Sequence, residues 1–360
     1  MNELTGTIVT SSLSYPGRLR FDRRVVSATP DPKGEGPVIL PGFLDLHVHG
    51  GGGADCMDGE AAVRQVARFH ARHGTTGMLA TTVTARVEEI ETALRGISAV
   101  MERPEAGEAR VLGVHLEGPF INPRKLGAQP PFALKPDLGL MRRWLSLAPI
   151  KVVTLAAELE GALELIEFLT LQGVRVQQGH TLATYEQAKA GFAAGAQGFT
   201  HFFNAMSPLG HREPGVVGLG LEQAQWAEVI PDGLHVHPAA IRTVWKNIAQ
   251  TYAVTDAAEA AGMPDGEYHL GQHRVYRRGG GVYLADGTLA GSALTMGQAA
   301  RNLHAWGYGL QDILAMTSGN AAQYLGLQHG LEPGNPADLV VLSEGMELEA
   351  VYVQGERVAG

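Results

Sequence analysis

The sequence predicts a parallel (β/α)₈ barrel of the TIM type with a small β-sandwich domain built from both termini. Three observations carry this expectation. Strand-like segments alternate with helical patterns through the middle of the chain, the order of a parallel α/β protein. The two ends read instead as short alternating strands broken by Gly and Asp, which is hairpin patterning. Ionisable residues also recur at the carboxyl ends of the strand candidates, the rim on which barrel active sites are built.

The elements follow in order. "LTGTIVTSS" and "GRLRFDRRVVSA" near the start, and "ADLVVLS" and "ELEAVYVQGERV" near the end, assign residues 1–40 and 330–360 to the small domain and 41–329 to the barrel. The eight barrel-strand candidates are "VILPGFLDLH", "GMLATTV", "RVLGVHLE", "KVVTLAAE", "VRVQQGH", "GFTHFF", "AEVIPDGLHV" and "YAVTDA". Helical patterns such as "EAAVRQVARFHARHG", "RVEEIETALRGISAVMER" and "ALELIEFLTLQG" lie between them, two of them closing at Gly74 and Gly173, where a terminating glycine is expected. "EYHLGQHRVYRRGGGVYLADGTLAGS" reads as a hairpin-like insertion, followed by helices in "LTMGQAARNLHAWG" and "QDILAMTSGNAAQYLG". An open doubly wound sheet is the competing fold. It needs a G-x-G-x-x-G turn followed by an acidic ribose partner, and "HGGGGAD" does not supply that spacing.

A chain of 360 residues with 45% apolar content can bury one large core with a small companion. The formal net charge of −9 argues against non-specific nucleic-acid binding, which needs a positive field, but leaves room for a locally basic site. Cys56 is the single cysteine, so no intrachain disulfide forms and a reducing, cytoplasmic setting is expected. The first residues lack signal-peptide patterning, and no apolar run is long enough to span a bilayer.

The polar residues carry the chemistry. "PGFLDLHVHG" places His47 and His49 two apart, hence on one side of a strand. Glu117 closes strand 3, His180 strand 5, His201 strand 6 and Asp256 strand 8. Two histidines alone are weak evidence, since histidines pair by chance. Six ionisable groups from five strands on one rim are another matter, because burying them together is costly without an ion. Imidazoles with carboxylates suit one or two first-row divalent cations, zinc first, with iron, manganese or cobalt as alternatives. Glu117, His180 and His201 make one subsite; His47, His49 and Asp256 make the other, with Glu117 placed to bridge them. Such a centre acidifies water. Asp256 is the candidate proton carrier, as well as or instead of a ligand. Asp45 shares the strand face of His47 and is expected to orient an imidazole.

"PGFLDLHVHG", "HLEGPF", "GHT", "THFFNAMSPLGHREPG", "DGLHV", "VTDA", "GTLAGSALTM" and "PGNPADLVVL" together resemble the N-acetylglucosamine-6-phosphate deacetylase family of the amidohydrolase superfamily, in order and over nearly the whole chain. The resemblance implies a metal-dependent deacetylase that forms a homodimer and hydrolyses the acetamide of N-acetyl-D-glucosamine 6-phosphate to D-glucosamine 6-phosphate and acetate, with the galactosamine epimer or another amide of the superfamily as the alternative substrate. Ring-amide hydrolases of the superfamily usually carry a carboxylated lysine at the end of strand 4; here that segment ends in Glu158. The resemblance further implies roles for single residues. Gln129 stands where a carbonyl-polarising donor is expected, in a family where some members use histidine. Arg212 and His235 form the phosphate clamp, part of it supplied by a dimer partner. Asn204 and Ala205 contact the sugar phosphate, and Ala128, Leu289, Ala290 and Gly291 supply further sugar contacts.

Overall fold

The computed structural model describes residues 1–359. Eight parallel strands run in sequence order as neighbours: Phe43–Val48, Thr75–Thr82, Arg110–Glu117, Ile150–Leu155, Arg175–Gln178, Gly198–Phe199, Trp226–Val229 and Gln250–Ala253. A parallel bridge between Val48 and Ala257 joins the continuation of the last strand to the first. Strands covered on both faces read as continuous apolar runs. Accordingly every residue of Phe43–Val48 and of Thr75–Thr82 is buried. One helix follows each strand, from Glu60–Ala71 after the first to Met296–Ala305 after the eighth. Gly173, at φ +75°, follows directly on the last residue of the helix Ala162–Leu171 and its cap Gln172. Gly74, at φ +97°, turns the chain from the helix Glu60–Ala71 into the second strand.

A seven-stranded sheet gathers both ends of the chain, in the order Glu356–Ala359, Leu348–Val353, Leu339–Leu342, Val38–Pro41, Asn2–Val9, Ser14–Phe21 and Val25–Pro30. Ile8, Leu19, Phe21, Ile39 and Leu339 form its apolar core. Val38–Pro41 joins the two halves, parallel to Asn2–Val9 and antiparallel to Leu339–Leu342. The run expected as a single strand from Val38 to His47 is therefore two strands in two different sheets. The break falls at Gly42, where a β-carbon would stand 2.2 Å from Thr76 Oγ1, so the crossing between sheets admits no side chain.

The insertion forms a four-stranded antiparallel sheet, Gly266–Leu270, His273–Arg278, Gly281–Tyr283 and Leu289–Ser292, which closes one side of the barrel mouth. Among the described residues no helix is long and apolar enough to cross a membrane.

Candidate metal centre and active site

Three of the six predicted ligands sit on or directly beside a strand; the three others need a special backbone. Phe43–Val48 carries His47, and His49 follows one residue beyond it. Their Nε2 atoms stand 3.1 Å apart, as the alternation of a strand requires. Glu117 is the last residue of its strand. His180, His201 and Asp256 lie two or three residues beyond theirs, so the strands in "VRVQQGH", "GFTHFF" and "YAVTDA" are shorter than their apolar patterns suggest. At φ +47°, +30° and +49° these three residues turn through the left-handed region, which ends the strand and swings the side chain over the barrel mouth. That conformation costs a non-glycine residue about 1–2 kcal/mol, held here by the surrounding structure.

The ligand atoms converge in two triads that share Glu117. Its Oε1 is 3.1 Å from both His180 Nε2 and His201 Nε2, which are 3.1 Å from each other. Its Oε2 is 3.2 Å from His49 Nε2. On that side His49 Nε2 and His47 Nε2 lie 3.3 and 3.5 Å from Asp256 Oδ1. Donors arranged tetrahedrally at about 2.0–2.1 Å from a cation stand about 3.3 Å from one another, so both triads fit a first-row divalent ion. All six residues are buried.

The charges are strongly coupled. Burial pulls the His47 imidazole down, but the charges of Glu117 and Asp256 outweigh it and hold the ring well above its ordinary value. Burial likewise lowers His49, and its contacts with Asp256 and Glu117 raise it to about 9. Burial raises Asp256, yet His47 and His49 bring it to about 2. Both imidazole shifts favour protonated rings, against which a metal must compete for the ring nitrogens.

Other predicted residues are placed less simply. Asp45 does not touch an imidazole ring: its Oδ2 accepts from Thr255 Oγ1 at 2.6 Å, and its Oδ1 from the Thr255 amide at 3.1 Å and the His47 amide at 3.3 Å. It thereby braces the residue before Asp256, because its side chain reaches the eighth strand's continuation before it reaches any ring. The carboxylate behind His47 is Glu228, 3.0 Å from Nδ1. Sequence reasoning passed over it, although a carboxylate inside the apolar strand of "AEVIPDG" is itself a signal. His115, two residues before Glu117, was also missed; both its nitrogens are engaged, by Leu46 O and Thr154 Oγ1. Gln129 Oε1 accepts from the Thr84 amide, and one Nε2 hydrogen goes to Glu117, which leaves the other N–H for the pocket.

Above the triads opens a cavity of about 320 Å³. Ala128, Gln129, Asn204, Ala205, His235, Leu289 and Gly291 line it, and so do Arg124 and Lys125, which sequence reasoning did not single out. His235 Nδ1 meets Asp232 Oδ2 at 2.6 Å; burial lowers this imidazole, but the Asp232 contact prevails and raises it, favouring a cation at the pocket wall. Ala290 does not line the cavity: strand alternation turns its side chain into the apolar cluster beneath the four-stranded sheet. Arg212 lies outside the cavity as well, exposed and with no ion-pair partner among the described residues.

The model of the amidohydrolase family matches residues 38–358. The chain belongs to the amidohydrolase family. Two bacterial relatives carry this further. The chain is 40% identical to the N-acetylgalactosamine-6-phosphate deacetylase of Escherichia coli O157:H7, over 89% of this chain and 87% of that one. It is 39% identical to the N-acetylglucosamine-6-phosphate deacetylase of Vibrio furnissii, over 90% and 84%. Among solved structures, a variant of N-acetyl-D-glucosamine-6-phosphate deacetylase from Mycobacterium smegmatis, in complex with N-acetyl-D-glucosamine-6-phosphate, superposes with a TM-score of 0.94 at 34% identity, covering 99% of both chains. The barrel with its terminal sheet is thus the architecture of this amidohydrolase, and the rim described above is its candidate centre.

Proposed function

We propose that this amidohydrolase removes the acetyl group of N-acetyl-D-glucosamine 6-phosphate, giving D-glucosamine 6-phosphate and acetate. The observation that carries the reading is the pair of triads sharing Glu117 at the floor of a pocket with cationic walls. Glu117, His180 and His201 would hold one divalent ion and His47, His49 and Asp256 a second, zinc being the best match to this donor set. When bound, such an ion supplies Lewis acidity toward the amide carbonyl and acidifies water.

The chain's own groups do the rest. Asp256 Oδ atoms take the proton of the attacking water and deliver it to the departing amine nitrogen. The free N–H of Gln129 donates to the acetyl oxygen as negative charge develops there. His235, held as a cation by Asp232, receives the phosphate together with Arg124 and Lys125, which makes the mouth locally basic on a chain of net charge −9. Asn204 and Ala205 and the backbone at Ala128, Leu289 and Gly291 border the sugar. Arg212 is assigned to a clamp shared across a homodimer, in keeping with its exposure outside its own pocket.

A second reading, the galactosamine epimer, is favoured by the similar identity to the E. coli relative. Acetate release by zinc-loaded protein from both sugar phosphates and from unphosphorylated N-acetylglucosamine tests both. We expect release from N-acetylglucosamine 6-phosphate, more slowly from its epimer, and least from the unphosphorylated sugar. A faster epimer reaction would reverse the assignment of substrate, and no release from either phosphate would end it.

A further inference from the structure

The four imidazoles of the centre are not supported alike. His180 donates Nδ1–H to the backbone oxygen of Lys125 at 2.8 Å. His49 Nδ1 and His201 Nδ1 are buried without a partner among the described residues. His47 alone has a carboxylate behind it: Glu228 Oε2, 3.0 Å from Nδ1. Glu228 is fully buried in the strand Trp226–Val229, 181 residues away in sequence. Its oxygens also face the His201 amide at 3.2 Å and the Tyr252 hydroxyl at 3.3 Å, and Tyr252 in turn accepts from Gln177 Nε2 at 2.5 Å.

This arrangement has one chemical meaning for His47. An ionised carboxylate only accepts, so the ring nitrogen facing it must carry the hydrogen. The other nitrogen, Nε2, then presents its lone pair to the cavity between His49 and Asp256. In the other tautomer the ring would aim an N–H at the ion, and flipped about its axis it would aim a C–H there. We propose that Glu228 is the positioning residue that fixes the His47 ring and thereby decides whether the His47–His49–Asp256 subsite fills. The Glu117–His180–His201 subsite does not use His47, and Glu228 reaches it only through the His201 backbone amide, so it should depend on Glu228 less. The inference rests on the two-subsite metal reading, and it makes occupancy of one subsite depend on a residue that touches neither ion nor substrate.

The experiment compares E228M, which removes the acceptor at similar volume, with E228Q, whose Oε1 still accepts from Nδ1–H. Crystals of each holoenzyme are equilibrated at a series of buffered free zinc concentrations, and anomalous scattering reads the occupancy of each subsite separately. Thermal melts confirm that both variants are folded. In E228M the zinc concentration that half-fills the His47–His49 subsite should rise about ten- to a hundred-fold, the usual effect of losing such a supporting group. The other subsite, whose His201 loses only a backbone acceptor, should weaken much less, and E228Q should retain most of the lost affinity. Unchanged filling in E228M would overturn the proposal, as would equal weakening of both subsites, or E228Q failing as badly as E228M. Should E228M not fold, E228Q with a misplaced or mobile His47 ring and an empty subsite overturns it, and E228Q with both retained supports it. If the unsubstituted protein fills only one subsite or neither, the underlying metal reading has failed instead, and the two failures are told apart.

Discussion

The two ends of the barrel bury charge in opposite ways. At the carboxyl rim, four imidazoles and two carboxylates crowd together with, among the described residues, no lysine or arginine in ion-pair range of Glu117 or Asp256. At the other end the charges are matched. Arg64 lies between Glu60, Glu105 and Glu108, and Arg110 meets the fully buried Asp338. The backbone differs too: of the seven non-glycine residues in the left-handed region among the described residues, five, His180, His201, Phe203, Ala205 and Asp256, stand at the rim. Yet the lower end also has a cavity, of about 380 Å³ against about 320 Å³ above. Volume alone therefore does not mark the site. Carboxylates ion-paired by imidazoles alone, on a backbone turned through the left-handed region, do.

If that contrast is right, substitutions at the two ends should break different things. The largest effect is expected from D256N. The amide cannot carry the proton, and turnover should fall by about 10²–10⁴-fold, the range of a lost general acid–base. Metal at the Glu117–His180–His201 subsite, which Asp256 does not complete, should persist in elemental analysis. Normal turnover would remove Asp256 from proton transfer. At the other end, R110M should leave kcat and KM unchanged and lower stability. Asp338 would be left buried and unpaired, which costs about 3–5 kcal/mol for a fully buried pair and less here because Arg110 is a quarter exposed. Urea unfolding checks this, and a kinetic defect without loss of stability would erase the distinction between the two ends.

The rim was legible in the sequence to the extent that it depends on residue type at strand ends. All six candidate ligands stood out because ionisable residues closing apolar strands need a reason to be there. What lay hidden depends on proximity across the barrel. Nothing near Phe43–Val48 announces that the support of His47 comes from Glu228, and Asp45 was the natural guess because it is local. The strand endings were misjudged for a related reason. Thr200 and His201 interrupt the run "GFTHFF" without a turn residue, and only their tertiary partners turn the backbone at His201 into the left-handed region. Arg124 and Lys125 sit in a loop whose composition looks merely solvated, and their place at the pocket follows from the chain returning to offer Lys125 O to His180. Gly42 was read as part of one strand because flanking residues on both sides favour strands; the close approach of Thr76 that splits it is a contact, not a pattern.

The smallest effect tests how the rim is braced from outside. His70, on the helix Glu60–Ala71, bonds through Nε2 to the backbone oxygen of Gly50, next to His49, and so ties the glycine-rich turn to that helix. Burial drives its imidazole down to about 4 from an ordinary value of 6.5. The sign follows from the neutral folded form: between those values the unfolded chain binds a proton that the folded one refuses. The stability this group contributes is therefore complete above pH 6.5 and is lost as pH falls toward 4, by about 2 kcal/mol at pH 5 and about 3 kcal/mol in all. In H70Q the amide nitrogen can still donate to Gly50 O, but nothing at that position titrates. Unfolding of both proteins at pH 7 and pH 5 should show the smaller acid loss in H70Q, with the effects of all other groups common to the pair. An identical loss in the two would mean that His70 takes up its proton in the folded state as readily as in the unfolded one, and that the turn after His49 is not closed against water as described.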